Sequence, residues 1–431
     1  MTEFDIEKIH ARRVWDSRGR PTIETEIVLR GGAVGRAIAP AGASRGSREA
    51  LDLRDGGNRL GGMDVTRALA ALRDRIAPAL LGKDARDQRA LDEHMIELDG
   101  TALKSELGGN ATVATSLALL HAAAAQSKRP LWRYLAETTG RRPSIPLPEI
   151  QIFGGGAHAG RRVDIQDFMV MVPGAADFAE ALEVSAEIHA AAGSLMAQQG
   201  RRAGVADEGG WWPAFDNNEQ AFETLVRALE LAGETPGRRV VLSLDIAASE
   251  FGRDGHYRLA LEDRQLDTSG MIELLSRWLD AYPIASIEDP LAEDDSAGMV
   301  EFTHRFGHRI QIIGDDYLVT NARLLDEAAT RGACNAVLIK VNQAGTFSES
   351  LDTMKAADSA GYRSVVSARS GETEDVSIAH LAVGLGAGQL KVGSMTRSER
   401  MAKWNEVLRI AEDSDAGEFV GGAPLGAGWK R

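Results

Sequence analysis

Six short apolar runs in the second half of the chain each end at, or contain, a polar side chain that could do chemistry. They are VVLSLD at Asp245, IASIE at Glu288, IQIIGDD at Asp315, AVLIK at Lys340, SVVSARS around Arg369 and QLKVG at Lys391. Asp245, Glu288 and Asp315 would offer a shared point the carboxylate oxygens that a hard cation such as Mg2+ prefers. An acid after a strand commonly does no more than cap the next helix. Three at successive strand ends repel one another unless something positive stands between them, so metal binding is the expectation. A lysine ending an apolar strand is unusual without an acid or ligand to pair with. Burial and cationic neighbours would lower the pKa of Lys340 and make it a general base; the alternative is a salt bridge to one of the metal carboxylates. Lys391 and Arg369 add fixed positive charge, and a guanidinium grips phosphate or carboxylate through two donors. A cation and a lysine base together suit removal of the proton beside the carboxylate of a small polyanionic acid.

Two earlier segments supply candidates for the opposite side of such a site. GVADEGGWWP carries Glu208, a general acid if partly desolvated, and GGGAHAGRRVDIQDFM carries His158, Asp164 and Asp167. A lone His158 reads most simply as a loop histidine. Gly154, Gly155 and Gly156 could form an anion-binding turn, although they do not match a P-loop. Trp211 and Trp212 read as packing residues before substrate platforms.

The six runs are spaced about as far apart as one strand, one helix and two loops require, and helical patterns lie between them. That spacing predicts a β/α barrel, whose strand ends converge on one mouth. The first part of the chain differs. TIETEIVL alternates, with Ile23, Ile27 and Leu29 on one side and Glu24 and Glu26 on the other, as a half-buried antiparallel strand does, and Gly31–Gly32 follows as a turn. From about residue 65 the pattern is helical, with Asn110 the expected N-cap of a run from Ala111 to Gln126. Three prolines in RRPSIPLPE cannot continue a helix. The expected fold is therefore of the α/β class, with a small α+β domain over residues 1–140 and a β/α barrel over 141–431.

With 431 residues, 44% of them hydrophobic, the chain can bury a large core, and its net charge of −14 opposes a broad nucleic-acid or anionic-membrane surface. LALLHAAAA is too short to span a bilayer, the opening MTEFDIEKIH has no continuous apolar stretch, and the single cysteine, Cys334, excludes an internal disulfide. These features suit a cytoplasmic protein.

DSRGRPTIETEI, GASRGSREALDLRDG, KSELGGNAT, DEGG, LDIAASEF, YPIASIEDPLAEDD, IGDDYLVTN, LIKVNQAGT, SGETED, KVGS and RSERMAKWNEVLRI recur in order along almost the whole chain. In these motifs the chain resembles the enolases, phosphopyruvate hydratases that turn 2-phosphoglycerate into phosphoenolpyruvate and water. The resemblance implies an enolase-type, TIM-like barrel and a homodimer or higher homo-oligomer. It implies two Mg2+ per active site, the first on Asp245, Glu288 and Asp315 and the second helped by Ser44. It makes Lys340 the base and Glu208 the acid, places Lys391 at the substrate carboxylate, and puts His158, Arg369 and Ser370 at the phosphate. Against the family pattern, Ala368 stands for an active-site histidine, Asp167 for a catalytic-site glutamate, Arg45 follows Ser44 in the AGASRG loop, and GGG replaces NGG. These departures are similar to what a diverged paralogue would carry, such as a carboxyphosphonoenolpyruvate synthase of phosphonate natural-product biosynthesis, acting on a phosphonate or larger acid. A catalytically silent enolase-like binding protein is a further alternative, which the retained acids and lysines oppose.

Overall fold

The computed structural model describes residues 1–43 and 46–429. Strands β1 (Ile6–Trp15), β2 (Pro21–Leu29) and β3 (Val34–Ile38) form an antiparallel sheet in that order. Ile23, Thr25, Ile27 and Leu29 share one fully buried face of β2, as the alternation requires. On the other face Arg12 pairs with Glu24 and, at 3.1 Å, with Glu26. The buried face rests on helix Gly109–Gln126, which is covered on nearly every side. Gly35 on β3 makes that contact possible, since a Cβ there would stand 2.1 Å from the Ala122 nitrogen. The helix starts two residues earlier than expected, with Gly108 rather than Asn110 at its N-cap. Asn110 instead holds the Leu53 backbone, accepting from its N–H at 3.3 Å and donating to its carbonyl at 3.2 Å. The same Oδ1 also accepts from the Ala111 N–H at 3.1 Å, from inside the first turn rather than from the N-cap position.

Eight strands close into a barrel: β4 (Leu147–Gly154), β5 (Asp167–Met171), β6 (Val241–Asp245), β10 (Ile284–Glu288), β11 (Gln311–Gly314), β12 (Ala336–Ile339), β13 (Arg363–Ser367) and β14 (Gly388–Gly393). Between β6 and β10 a small antiparallel sheet intervenes, β7 (Gly252–Arg253), β8 (His256–Leu259) and β9 (Arg264–Asp267), which accounts for the long interval after Asp245. One barrel strand is reversed. β5 pairs antiparallel with both β4 and β6, with Asp167 opposite Gly154 and Asp245, while the other pairings are parallel. In a parallel barrel only C-terminal strand ends reach the mouth; the reversal brings the first residue of β5, Asp167, there as well.

Leu147, Met171, Val241 and Ala285 cluster with Leu425 as an apolar plug. Polar side chains also occupy the interior: Gln311 donates to Gln389 at 2.6 Å and accepts from Ser286 at 3.0 Å. Among the described residues no helix is long and apolar enough to cross a membrane.

Candidate active site

Each of the six runs ends where the spacing places it. Asp245 and Glu288 are the last residues of β6 and β10, Asp315 and Lys340 directly follow β11 and β12, Arg369 and Ser370 follow β13, and Lys391 lies within β14. All seven are buried. A buried charge is tolerated only when paired, and the pairing here is dense. Lys391 Nζ donates to Asp245 Oδ2 at 2.9 Å and Glu288 Oε2 at 2.8 Å and lies 3.4 Å from Asp167 Oδ2. Lys340 Nζ donates to Asp315. Gln166 and Gln343, which sequence reasoning passed over, donate to Asp245 at 3.0 Å and Asp315 at 2.8 Å.

The expectation of a depressed Lys340 is overturned in this state. Burial, Arg369 and Lys391 pull its ammonium down, but Asp315 and Glu288 outweigh them and hold it above the ordinary lysine value. The salt bridge weighed as the alternative is the arrangement found. Even so, the lysines do not neutralise the acids. Burial and Asp245 push Glu288 well above the usual carboxylate range, while burial and Asp315 do the same to Asp289 and Asp316. Glu288 Oε1 is buried without a hydrogen-bond partner among the described residues. Asp289, Asp315 and Asp316 also bring ligand oxygens within 4.8 Å of one another. Surplus carboxylate and an orphaned oxygen are what an oxygen-seeking divalent cation would satisfy, so these residues fit Mg2+. Asp316 was legible in IGDD but received no role.

On the opposite wall, His158 sits in the turn Gly156–Ala159, with its Nδ1 3.5 Å from Glu208 Oε1. Burial alone would raise Glu208; His158, Arg400, Lys391 and Lys340 overcome it and keep the carboxyl below its ordinary value. Burial prevails at Asp167, which is raised despite His158 and Lys391. Gln151 donates to Asp167 Oδ1 and accepts from the Gly210 N–H at 2.9 Å, joining the two segments. The glycine triplet forms no anion-binding turn. The N–H groups of Gly154, Gly155 and Gly156 donate to the carbonyls of Trp211, Gln166 and Val163, which leaves none for a ligand. Trp211 packs against Gly193 and stacks on His189 at 4.8 Å, the packing role expected of it.

Arg369 donates to both oxygens of Glu49, at 3.0 and 3.1 Å, and to Asn342 at 3.1 Å. Burial and this pairing oppose each other, and the guanidinium stays above its usual value. Glu49 also accepts from Gly46 N and Gln343, at 3.0 and 3.2 Å. It was missed because nothing local in GSREAL marks a glutamate whose partner lies 320 residues away. Ser370 Oγ accepts from Ala43 N at 3.2 Å, and Ala41 and Gly371 form a bridge between backbones. The turn after β13 therefore holds both flanks of the AGASRG loop, whose Ser44 and Arg45 lie outside the described residues. Ala368 borders the same cavity as His158, Asp167 and Glu208.

Both parts of the chain match family models: residues 6–135 match the enolase N-terminal domain, and residues 142–424 the enolase C-terminal TIM barrel domain. The chain belongs to the enolase family. It is 47% identical over 415 residues to Enolase 1 of Desulfitobacterium hafniense (strain Y51), covering 96% of this chain and 94% of that one. It is accordingly an enolase-family carbon–oxygen lyase, of the phosphopyruvate hydratase type.

Proposed function

We propose that the chain is a Mg2+-dependent enolase that converts 2-phosphoglycerate to phosphoenolpyruvate and water. The observation that carries this reading is the placement of Lys340 and Glu208 on one buried cavity, beside acids whose charge the lysines leave incompletely balanced. Asp245, Glu288 and Asp315 would hold the first Mg2+, and Ser44 would help hold the second. When bound, the cation supplies positive charge at the substrate carboxylate and so acidifies the adjacent C–H. Lys340 takes the α-proton once Asp315 is otherwise engaged, since Asp315 is what holds its ammonium up. Glu208 gives a proton to the departing hydroxyl, which leaves as water as the double bond forms. An anion beside His158 offsets the positive charge that keeps Glu208 ionised, raising the carboxyl toward that task. Lys391 orients the carboxylate end, and His158, Arg369 and Ser370 the phosphate end. Asp167, bonded to Gln151 and facing Lys391, helps set the spacing between the two walls. The same reading takes in a domain division near residue 141, a homodimer or higher homo-oligomer, and a cytoplasmic location.

Turnover of 2-phosphoglycerate with and without Mg2+ tests the proposal. Metal-dependent formation of phosphoenolpyruvate supports it, and no turnover with the cation present rejects it.

Ala368 favours a second reading. A methyl group at the cavity wall leaves room that an imidazole would fill, and Arg45 adds a guanidinium to the AGASRG loop. A diverged paralogue taking a phosphonate- or carboxylate-extended acid, of the carboxyphosphonoenolpyruvate synthase kind, would use both. Slow turnover of 2-phosphoglycerate beside fast turnover of the extended acid would select this reading.

A further inference from the structure

Helix Ser398–Ala411, which follows β14, buries the side chain of Arg400 completely. Its guanidinium is spent on backbone. Nη1 donates to the carbonyls of Arg369 at 2.7 Å and Val392 at 2.9 Å, and Nη2 donates to the carbonyl of Ser370. One planar fork therefore ties the turn after β13 to β14. No carboxylate accepts from Arg400 among the described residues: Glu399 Oε1 lies 3.5 Å from Nε, and neither atom is hydrogen-bonded. A guanidinium stays charged in a protein, and away from water its field is weakly screened.

The connector into the same helix also holds the segment around Glu208. Ser394 N donates to the Glu208 carbonyl at 2.9 Å, Thr396 Oγ1 to that of Gly209 at 2.6 Å, and Arg397 Nε to that of Ala206 at 3.0 Å. Gly393 permits the close approach: its φ is +125°, and a Cβ there would stand 2.8 Å from the Glu208 carbonyl oxygen and 3.1 Å from Arg400 Cδ. Burial opposes ionisation of the Glu208 carboxyl and His158 favours it, with Arg400 the next cation to hold it down. Arg400 itself does not line the cavity. We propose, on the roles given above to Arg369, Ser370 and Glu208, that Arg400 is a positioning residue for the reaction, which fixes the phosphate-gripping turn through its carbonyls and adds its charge behind the acid. A lysine keeps the charge but presents a point, not a planar fork, so it cannot hold the three carbonyls together.

The test uses the full chain with Mg2+ and separates hold from charge. In Arg400→Lys, amide hydrogen exchange read by mass spectrometry should run about tenfold faster over residues 368–375 and stay unchanged over β6. KM for 2-phosphoglycerate should rise about tenfold with kcat within about threefold, and the basic limb of the kcat–pH profile should stay in place. Arg400→Met, which also removes the charge, should move that limb to higher pH, because Glu208 must carry a proton to give it and loses a cation that keeps it ionised. Val407→Ala, a cavity on the same helix at a fully buried position, should lower the melting temperature and leave KM at the wild-type value. Wild-type exchange over 368–375 or an unchanged KM in Arg400→Lys overturns the proposal, as does an equal rise in KM in Val407→Ala. Should Arg400→Met fail to fold, the lysine variant decides. Should the wild type not turn over 2-phosphoglycerate, the proposed reaction fails, while the exchange measurement still decides whether Arg400 holds the turn.

Discussion

Glu49→Gln tests how far the N-terminal part of the molecule is fastened to the barrel by charge. Both partners of the Glu49–Arg369 pair are almost fully buried, at 4% and 3% side-chain exposure, and two donor contacts of 3.0 and 3.1 Å join them. Two unit charges about 4 Å apart attract by about 4 kcal/mol at an effective dielectric constant near 20. Removing one member of a buried pair costs about 3–5 kcal/mol, at the lower end here because Arg369 keeps its bond to Asn342 at 3.1 Å. The amide would keep one acceptor, which can still take a bond from Arg369 or from Gly46, so about 3 kcal/mol is expected. Urea unfolding followed by fluorescence and circular dichroism measures it, as a lower midpoint at unchanged slope. Arg12→Ala, which breaks a half-exposed pair with Glu26 and Glu24 on the outer sheet face, should cost about 1 kcal/mol or less. A loss below about 1 kcal/mol for Glu49→Gln would refute the reasoning and mean that Arg369 redistributes its bonds without penalty.

Asp315→Ala should weaken Mg2+ binding about a hundredfold by calorimetry, and equal affinity would remove Asp315 from the cation site. Lys340→Ala should abolish exchange of the substrate α-proton with solvent, while Glu208→Gln retains exchange and loses elimination, as read by NMR in deuterated buffer. Ala368→His should lower kcat/KM for an extended acid by about 1–3 kcal/mol through steric exclusion, with Arg45→Thr weakening it through lost charge pairing; equal effects on 2-phosphoglycerate would remove the specificity role. The His380 hydrogen bond holds Glu406 down to about 2 from an ordinary 4.5. Its stabilisation is thus complete above the ordinary value and lost as the pH falls toward 2. Thermal unfolding between pH 6 and 3 should show a shallower acid-side loss in Glu406→Gln than in the wild type.

The barrel strands could be read because each is a short apolar run cut off by a side chain that an apolar interior rejects. Asp245, Glu288 and Lys340 announce strand end and chemistry in one letter each. Where a residue acts through a distant partner, the local pattern is silent. Asn110 has the form of a cap and spends itself on Leu53, and Glu49 has the form of a solvated helix-start acid and meets Arg369. The reversal of β5 could not be read either, since the apolar run FMVM carries no mark of direction, so Asp167 stood as a candidate for the opposite side without the antiparallel strand that brings it there. The charge state of Lys340 depends on the balance between desolvation and Asp315, a quantity fixed only by distances.

Because β5 runs backwards, the segment from Gly155 to Gln166 stays at the mouth, whereas an ordinary connection would leave it to build an outer helix. His158, Gln166 and Asp167 consequently arrive on one continuous stretch of chain. Asp245, Glu288 and Asp315 come from the ends of β6, β10 and β11, each rooted in its own strand. Changes at the imidazole wall can therefore accumulate within a single loop while the carboxylate wall stays fixed. A transplant of that loop between relatives would carry His158, Gln166 and Asp167 as one cassette, without Glu208, and leave Asp245, Glu288, Asp315 and Lys340 in place.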